Sequence, residues 1–181
     1  MTHAVISALA VLALVGQVLA VLLVLALLVA RERVSRWFWG YELWAAFLVA
    51  AIATGGSLFL SDVAGFVPCE MCWYQRICMY PLSLLTLFLA VHGDNRAARY
   101  LLPFPVIGAG VSIYHLLIEN HVVSTPAACQ VGAGCTVKWI DYFGYMTIPT
   151  LALTAFVLLT IFLGLAAASL EDDAATLPAD G

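Results

Sequence analysis

Five apolar stretches, each close to the length of a bilayer crossing, constrain this chain more than any motif in it. A helix needs about 20 apolar residues to span a hydrocarbon core of about 30 Å. Residues 4–30 form one such run, broken only by Ser7, Gly16 and Gln17. Residues 44–60 form a second, approached through Trp37, Phe38, Trp39 and Tyr41. The others lie near 73–91, 100–118 and 146–168, the third run being the least regular because it contains Gln75, Arg76 and Pro81. The chain is 64% hydrophobic and 10% charged, against roughly 45–50% and about 25% in soluble domains. One soluble core cannot hide that surface. Backbone polar groups in lipid must pair within their own segment, so the runs are expected as helices. The expected fold is all-α, a polytopic membrane bundle.

The first run has no Lys or Arg before it and far exceeds the roughly 7–15 residues of a signal-peptide core, so it is expected to remain as a membrane helix. Cytoplasmic loops are enriched in Lys and Arg. Arg31, Arg33 and Arg36 lie between the first two runs, and Arg96 and Arg99 between the third and fourth. The opposite side holds only Arg76 and Lys138. This distribution predicts a cell-membrane protein with its N-terminus outside and its C-terminus in the cytoplasm. The acidic end, EDDAATLPADG, reads as a short solvated tail. A net charge of −4 leaves no electrostatic footprint for nucleic acid.

Under that orientation the cysteines sort by position. Cys69 and Cys72 form C-x-x-C in the outer loop before the third span, and Cys129 and Cys135 lie in the outer loop before the last. Cys78 falls inside the third span and reads as a small hydrophobe. The four outer thiols face the oxidising side, where disulfides persist. Structural staples, a zinc site and thiol–disulfide exchange all remain open. C-x-x-C closes too small a loop to gain much as a staple, while a first helical turn lowers a thiol's pKa. The wider spacing of the second pair is loose for a zinc knuckle. Exchange is therefore the favoured reading.

Arg76 stands four residues after Cys72, on the same helix face. An arginine at bilayer depth is costly and points to function; the competing reading is a snorkelling interface residue. Spacing alone leaves the two even. Making a disulfide releases two electrons and two protons. With no haem or flavin motif in the sequence, the acceptor most available to a lipid-embedded helix is a quinone. Trp73 and Tyr74 could help wall a flat ring, though aromatic residues at this depth are also ordinary belt residues.

The segment PCEMCWYQRICMYPL closely resembles the first outer-loop motif of the DsbB/BdbC disulfide bond formation proteins, especially the BdbC branch. CTVKWIDYFGYMTIPTLALTAF resembles the end of that branch's second outer loop and its last helix. The resemblance covers roughly residues 40–168. It implies a four-helix bundle of the DsbB type, here with one extra N-terminal transmembrane helix. The implied organisation is residues 1–36 for the added helix and cytoplasmic loop, 37–169 for the redox bundle, and 170–181 for the cytoplasmic tail.

The resemblance also implies roles. Cys69 and Cys72 match the quinone-coupled pair, with Cys72 the thiolate that contacts the quinone and Arg76 the arginine associated with quinone binding. Cys129 and Cys135 match the pair attacked by a DsbA/BdbD-like thioredoxin-fold oxidase. Cys129 would form the mixed disulfide and Cys135 would exchange with Cys69. The implied activity is a protein-dithiol:quinone oxidoreductase supporting disulfide formation in exported proteins, with menaquinone favoured over ubiquinone. No metal is assigned. A DsbA-type disulfide lies near roughly −120 mV, so continuous withdrawal of electrons by the quinone pool is what re-oxidises it.

Two features depart from the family pattern: the helix at 4–30, and a second pair with tighter spacing than in Gram-negative members. The rival readings are a vitamin K epoxide reductase-like enzyme and a non-catalytic scaffold with structural disulfides. His115 and Glu119, with His121 just beyond, are candidate proton carriers, although an interfacial role is favoured for them. His92 reads as structural. KWIDYFGYM reads as a short interfacial element able to hold the second loop near the first.

Overall fold

The computed structural model of the chain describes residues 2–130 and 134–176. Each apolar run becomes helical, as its uninterrupted low polarity requires in lipid. Helix α1 spans Thr2–Phe38, α2 Glu42–Leu58, α3 Glu70–His92, α4 Asn95–Leu101, α5 Pro103–Glu119 and α6 Ile148–Thr176. Among the described residues five helical spans are long and apolar enough to cross a membrane, α4 and α5 together forming the fourth. No strand occurs among them. The chain is an all-α, multi-pass membrane protein.

The helix ends follow local chemistry. In α1 the helical dihedrals break at Ala30, where the apolar run meets Arg31; Val34 and Phe38 beyond it pack on the main core. Asp94 caps α4 by accepting from the N–H groups of Arg96 and Ala97. Pro103 opens α5, where its missing N–H costs nothing. Helix α6 carries residues 171–173 of the acidic segment in helical backbone. The rest of that expected tail, 177–181, lies outside the described residues.

Helix α6 is the packing centre. It contacts all the other spans, and Phe156, Leu159, Leu163 and Ala166 along it are fully buried. The outer surface is greasy instead of charged, with Val15, Leu22, Leu48, Leu84 and Ile107 exposed. In water such a surface would drive association; in a bilayer it faces lipid chains. The connections between α2 and α3 and between α5 and α6 meet at one end of the bundle. There Phe66 stacks on Trp139 at 5.2 Å between ring centroids, and Ile6, Leu60 and Ile140 form a small apolar cluster. The KWIDYFGYM segment makes these contacts and closes on itself through a bridge between Tyr142 and Met146. It ties the second loop to the first.

Candidate functional site

Helix α2 ends in a single π-helical turn, Phe59–Val63, and the chain then runs extended through Pro68 to Cys69. Cys69 is the N-cap of α3, in extended conformation. Cys72 therefore sits in the first turn, and the two sulfurs lie 3.0 Å apart as free thiols. Across from them Cys129 and Cys135 are joined in a disulfide. Cys69, Cys129 and Cys135 are buried in one apolar cluster with Met71 and Ile118, and Cys72 packs against it. The four cysteines thus form one patch rather than two separate staples.

A histidine joins the pairs. His115, on α5 and only 4% exposed, brings Nε2 to 3.6 Å from the Cys69 sulfur and 3.2 Å from the carbonyl oxygen of Cys135. Its Nδ1 lies 3.4 Å from the amide nitrogen of Gln75, on α3. With that amide donating to Nδ1, the ring proton sits on Nε2 and is shared between the thiol and the carbonyl. One turn further along α5, Glu119 is buried; one oxygen accepts from the Thr147 hydroxyl at 3.0 Å, and the other has no hydrogen-bond partner among the described residues. A small cavity touches Cys69, Cys72, His115 and Glu119 together. These groups can exchange protons with the thiol pair. The sulfurs of Cys69 and Cys72 and a ring nitrogen of His115 also lie within 4.8 Å of one another, a donor set that a soft metal could share. The Cys129–Cys135 disulfide takes the other two thiols out of any four-cysteine zinc site.

The Cys69 thiol is lowered from its ordinary value to about 4. The main cause is the Cys72 S–H donated to it; burial opposes this, and His115 adds a hydrogen bond and favourable charge. The titration belongs to the pair as much as to one sulfur. A thiol with a lowered pKa is a thiolate above that value and is protonated only as pH falls through it. In the reduced, folded protein, thiolate absorbance assigned to Cys69 should thus persist from neutral pH to about pH 5 and disappear near pH 4. His115→Ala should move the loss upward. Loss of the signal near pH 8–9, the range of an ordinary thiol, would remove the proposed activation.

Arg76 is anchored to α2. Its Nε donates to the Ser57 hydroxyl at 3.0 Å and its Nη2 to the Ser57 carbonyl at 3.1 Å. The guanidinium carbon lies 5.3 Å from the Trp73 ring centroid and 6.0 Å from that of Tyr80. Two hydrogen bonds to α2 leave the remaining guanidinium N–H groups for another acceptor. Arg76 and Cys72 both line an apolar cavity of about 220 Å³, bounded by α1, α2, α3 and α6. Cys72 therefore has one side on the buried sulfur cluster and the other on this cavity. Cys78 is half-buried against the main core.

The pattern of the sequence did not single out Ser57 or Gln75. Gln75 left a signal, a polar residue within an apolar span three positions after Cys72. Ser57 left none, because its importance comes from a contact between helices. His115 and Glu119 were visible as a pair four residues apart, but not their approach to both cysteine pairs.

A family model described as "Disulfide bond formation protein DsbB" matches residues 35–166. "Disulfide bond formation protein C" of Bacillus subtilis (strain 168) is 47% identical over 123 residues, covering 67% of this chain and 88% of that protein. "Probable disulfide formation protein C 1" of Bacillus anthracis is 42% identical over 122 residues, covering 67% and 88%. "Probable disulfide formation protein" of Coxiella burnetii (strain Dugway 5J108-111) is 37% identical over 146 residues, covering 76% and 95%. No solved structure gives a significant match.

Proposed function

The chain belongs to the DsbB family of disulfide bond formation proteins and is a membrane thiol oxidoreductase of disulfide formation; on that premise we propose that it carries electrons from an extracytoplasmic thioredoxin-fold dithiol to quinone. The observation that carries this reading is the continuity of the sulfur path. The Cys129–Cys135 disulfide shares a buried cluster with Cys69; Cys69 lies against Cys72; and Cys72 lines an apolar cavity with Arg76. That cavity suits a flat, lipid-soluble acceptor: apolar walls, with a sulfur and guanidinium N–H groups among its polar members. The five-to-two distribution of basic residues supports an orientation with all four redox cysteines outside.

The steps follow from the positions of the sulfurs. A thiolate of the partner attacks Cys129, forming a mixed disulfide and releasing Cys135 as thiolate. The second partner thiol resolves it, leaving the partner oxidised and the Cys129–Cys135 pair reduced. Cys135 then attacks Cys69 of an oxidised Cys69–Cys72 pair, and Cys72 leaves as thiolate. Cys129 resolves the Cys69–Cys135 bond and restores its own disulfide. The resulting arrangement, an oxidised second pair facing two free thiols, is the one present in the structure. A bound quinone supplies a sink for two electrons and two protons. Closure of the Cys69–Cys72 disulfide releases that number. His115, with its ring proton on Nε2, faces Cys69 as a donor and favours its thiolate, with Glu119 one turn beyond. Cys129 and Cys135 are both buried, so a protein donor must displace part of the second loop to reach them.

Arg76 is the residue that tests the acceptor end. Arg76→Gln should raise the apparent KM for quinone and lower kcat/KM by about ten- to a hundredfold, the equivalent of roughly 1.5–3 kcal/mol for a hydrogen bond to a charged group. Exchange between the second pair and the partner should be nearly unchanged. Arg76→Lys should rescue only in part, because lysine lacks the planar fork that bonds Ser57 and faces the cavity together. Quinone titrations at matched folded protein make the comparison. Full rescue by lysine with unchanged quinone dependence would reduce Arg76 to a membrane anchor.

A further inference from the structure

Helix α1 lies outside the family match for nearly its whole length, since the match begins at residue 35. The Bacillus subtilis relative leaves too few unmatched residues for an additional span of about 20 apolar positions. Yet α1 is built onto the cavity that Cys72 and Arg76 share. Leu9, Leu12, Ala13 and Gly16 line it, opposite residues of α2, α3 and α6.

The seating is specific. Gln17 donates to the Thr154 hydroxyl at 3.2 Å and accepts from the Tyr145 hydroxyl at 3.0 Å. Ser7 bonds the Tyr142 hydroxyl at 2.9 Å. Two glycines set the helix spacing. A Cβ on Gly16 would stand 3.2 Å from Leu158 and Thr154, and one on Gly56 of α2 would stand 3.1 Å from Leu9. Small residues at such points let helices approach closely in lipid, and polar pairs fix their register. The opposite face of α1, with Val11, Val15, Val18 and Leu22, is exposed and faces the bilayer. One face of α1 is therefore a fitted wall, the other an ordinary lipid surface.

We propose that α1 is a wall of the quinone site added outside the family bundle, with Leu9, Leu12, Ala13 and Gly16 holding the isoprenoid tail of a prenylated quinone beside Cys72 and Arg76. This rests on the reading of the cavity as the quinone site. The polar groups of α3 face the head, whereas α1 offers the cavity only aliphatic carbon. It is suited to a hydrocarbon tail and sets how much of that tail the site accepts.

The test uses the full chain in lipid nanodiscs and a prenylated naphthoquinone with a diazirine in its first isoprene units. Illumination should label the peptide 2–30, and unlabelled prenylated naphthoquinone should compete. Ala13→Trp, which fills the cavity, should weaken quinone binding at least tenfold and suppress the label, with thiol exchange by a small dithiol retained as evidence of folding. Val15→Trp, on the lipid face, should change neither. Competed labelling confined to α2, α3 or α6 would overturn the role of α1 and leave the quinone reading intact. Labelling of α1 that a photoreactive phospholipid reproduces, and that quinone does not compete, would mark the wall as lipid-filled and overturn the proposal. Absence of any competed label in any helix would overturn the quinone reading itself, and this inference with it.

Discussion

Cys72→Ser should stop quinone reduction whichever donor supplies the electrons, with turnover falling by about a thousandfold or more, as for loss of a reacting nucleophile. Among the described residues Cys72 is the one sulfur that both touches its partner thiol, at 3.0 Å, and lines the large cavity with Arg76. Serine fills the same space and donates a similar hydrogen bond, so the fold should persist. What it cannot do is form the Cys69–Cys72 disulfide, the bond whose closure releases the electrons. Cys78→Ala, one and a half turns further along α3, should keep most activity, because Cys78 packs against the main core. Rates measured with both a protein dithiol and a small dithiol check the claim. Appreciable quinone reduction by folded Cys72→Ser, or its loss in folded Cys78→Ala, would reassign the acceptor end.

Much of the architecture was legible because bilayer thickness leaves little choice. A run of about 20 apolar residues has to be a helix, and all five runs are. Boundaries were less legible. The fourth span divides at Leu102, where Pro103 starts a new helix, and α1 continues past its apolar run to Phe38 because Val34 and Phe38 still find core to cover. The nearness of Cys69 to Cys72 was also readable, since three residues in a first helical turn leave little alternative.

What could not be read is whatever depends on two helices meeting. Sequence spacing joined Arg76 to Cys72, and the two do share a cavity. The hydrogen bonds of Arg76 go instead to Ser57, nineteen residues away on α2. The family resemblance implied Cys72 as the thiolate that contacts the quinone. In the structure the acid-shifted thiol outside the span is Cys69, because Cys72 donates to it and His115 adds a second contact. Neither His115 nor Gln75 announces this in the linear pattern, because α3 and α5 bring them together only on folding. The same holds for α1, whose apolar sequence fits a plain membrane span and whose place at the cavity follows from Gly16, Gln17 and Ser7 meeting α6 and the second loop.

The proposed relay has two stages, with Cys129–Cys135 receiving electrons from a protein and Cys69–Cys72 delivering them to quinone. The second pair is buried, so its use depends on a donor able to open a path to it, while Cys72 of the first pair is half-buried and lines the cavity, where a small dithiol can reach it. The most direct measurement is anaerobic quinone reduction by purified protein, followed with a reduced thioredoxin-fold dithiol and separately with a small dithiol, for the wild type and Cys129→Ser. One quinone should be reduced per dithiol oxidised from either donor in the wild type. In Cys129→Ser, turnover from the protein donor should fall by at least about a hundredfold, the scale for an essential attacked sulfur, and turnover from the small dithiol should stay within about threefold of wild type. Equal loss from both donors in folded Cys129→Ser, or no quinone reduction by the wild type with either, would contradict the relay.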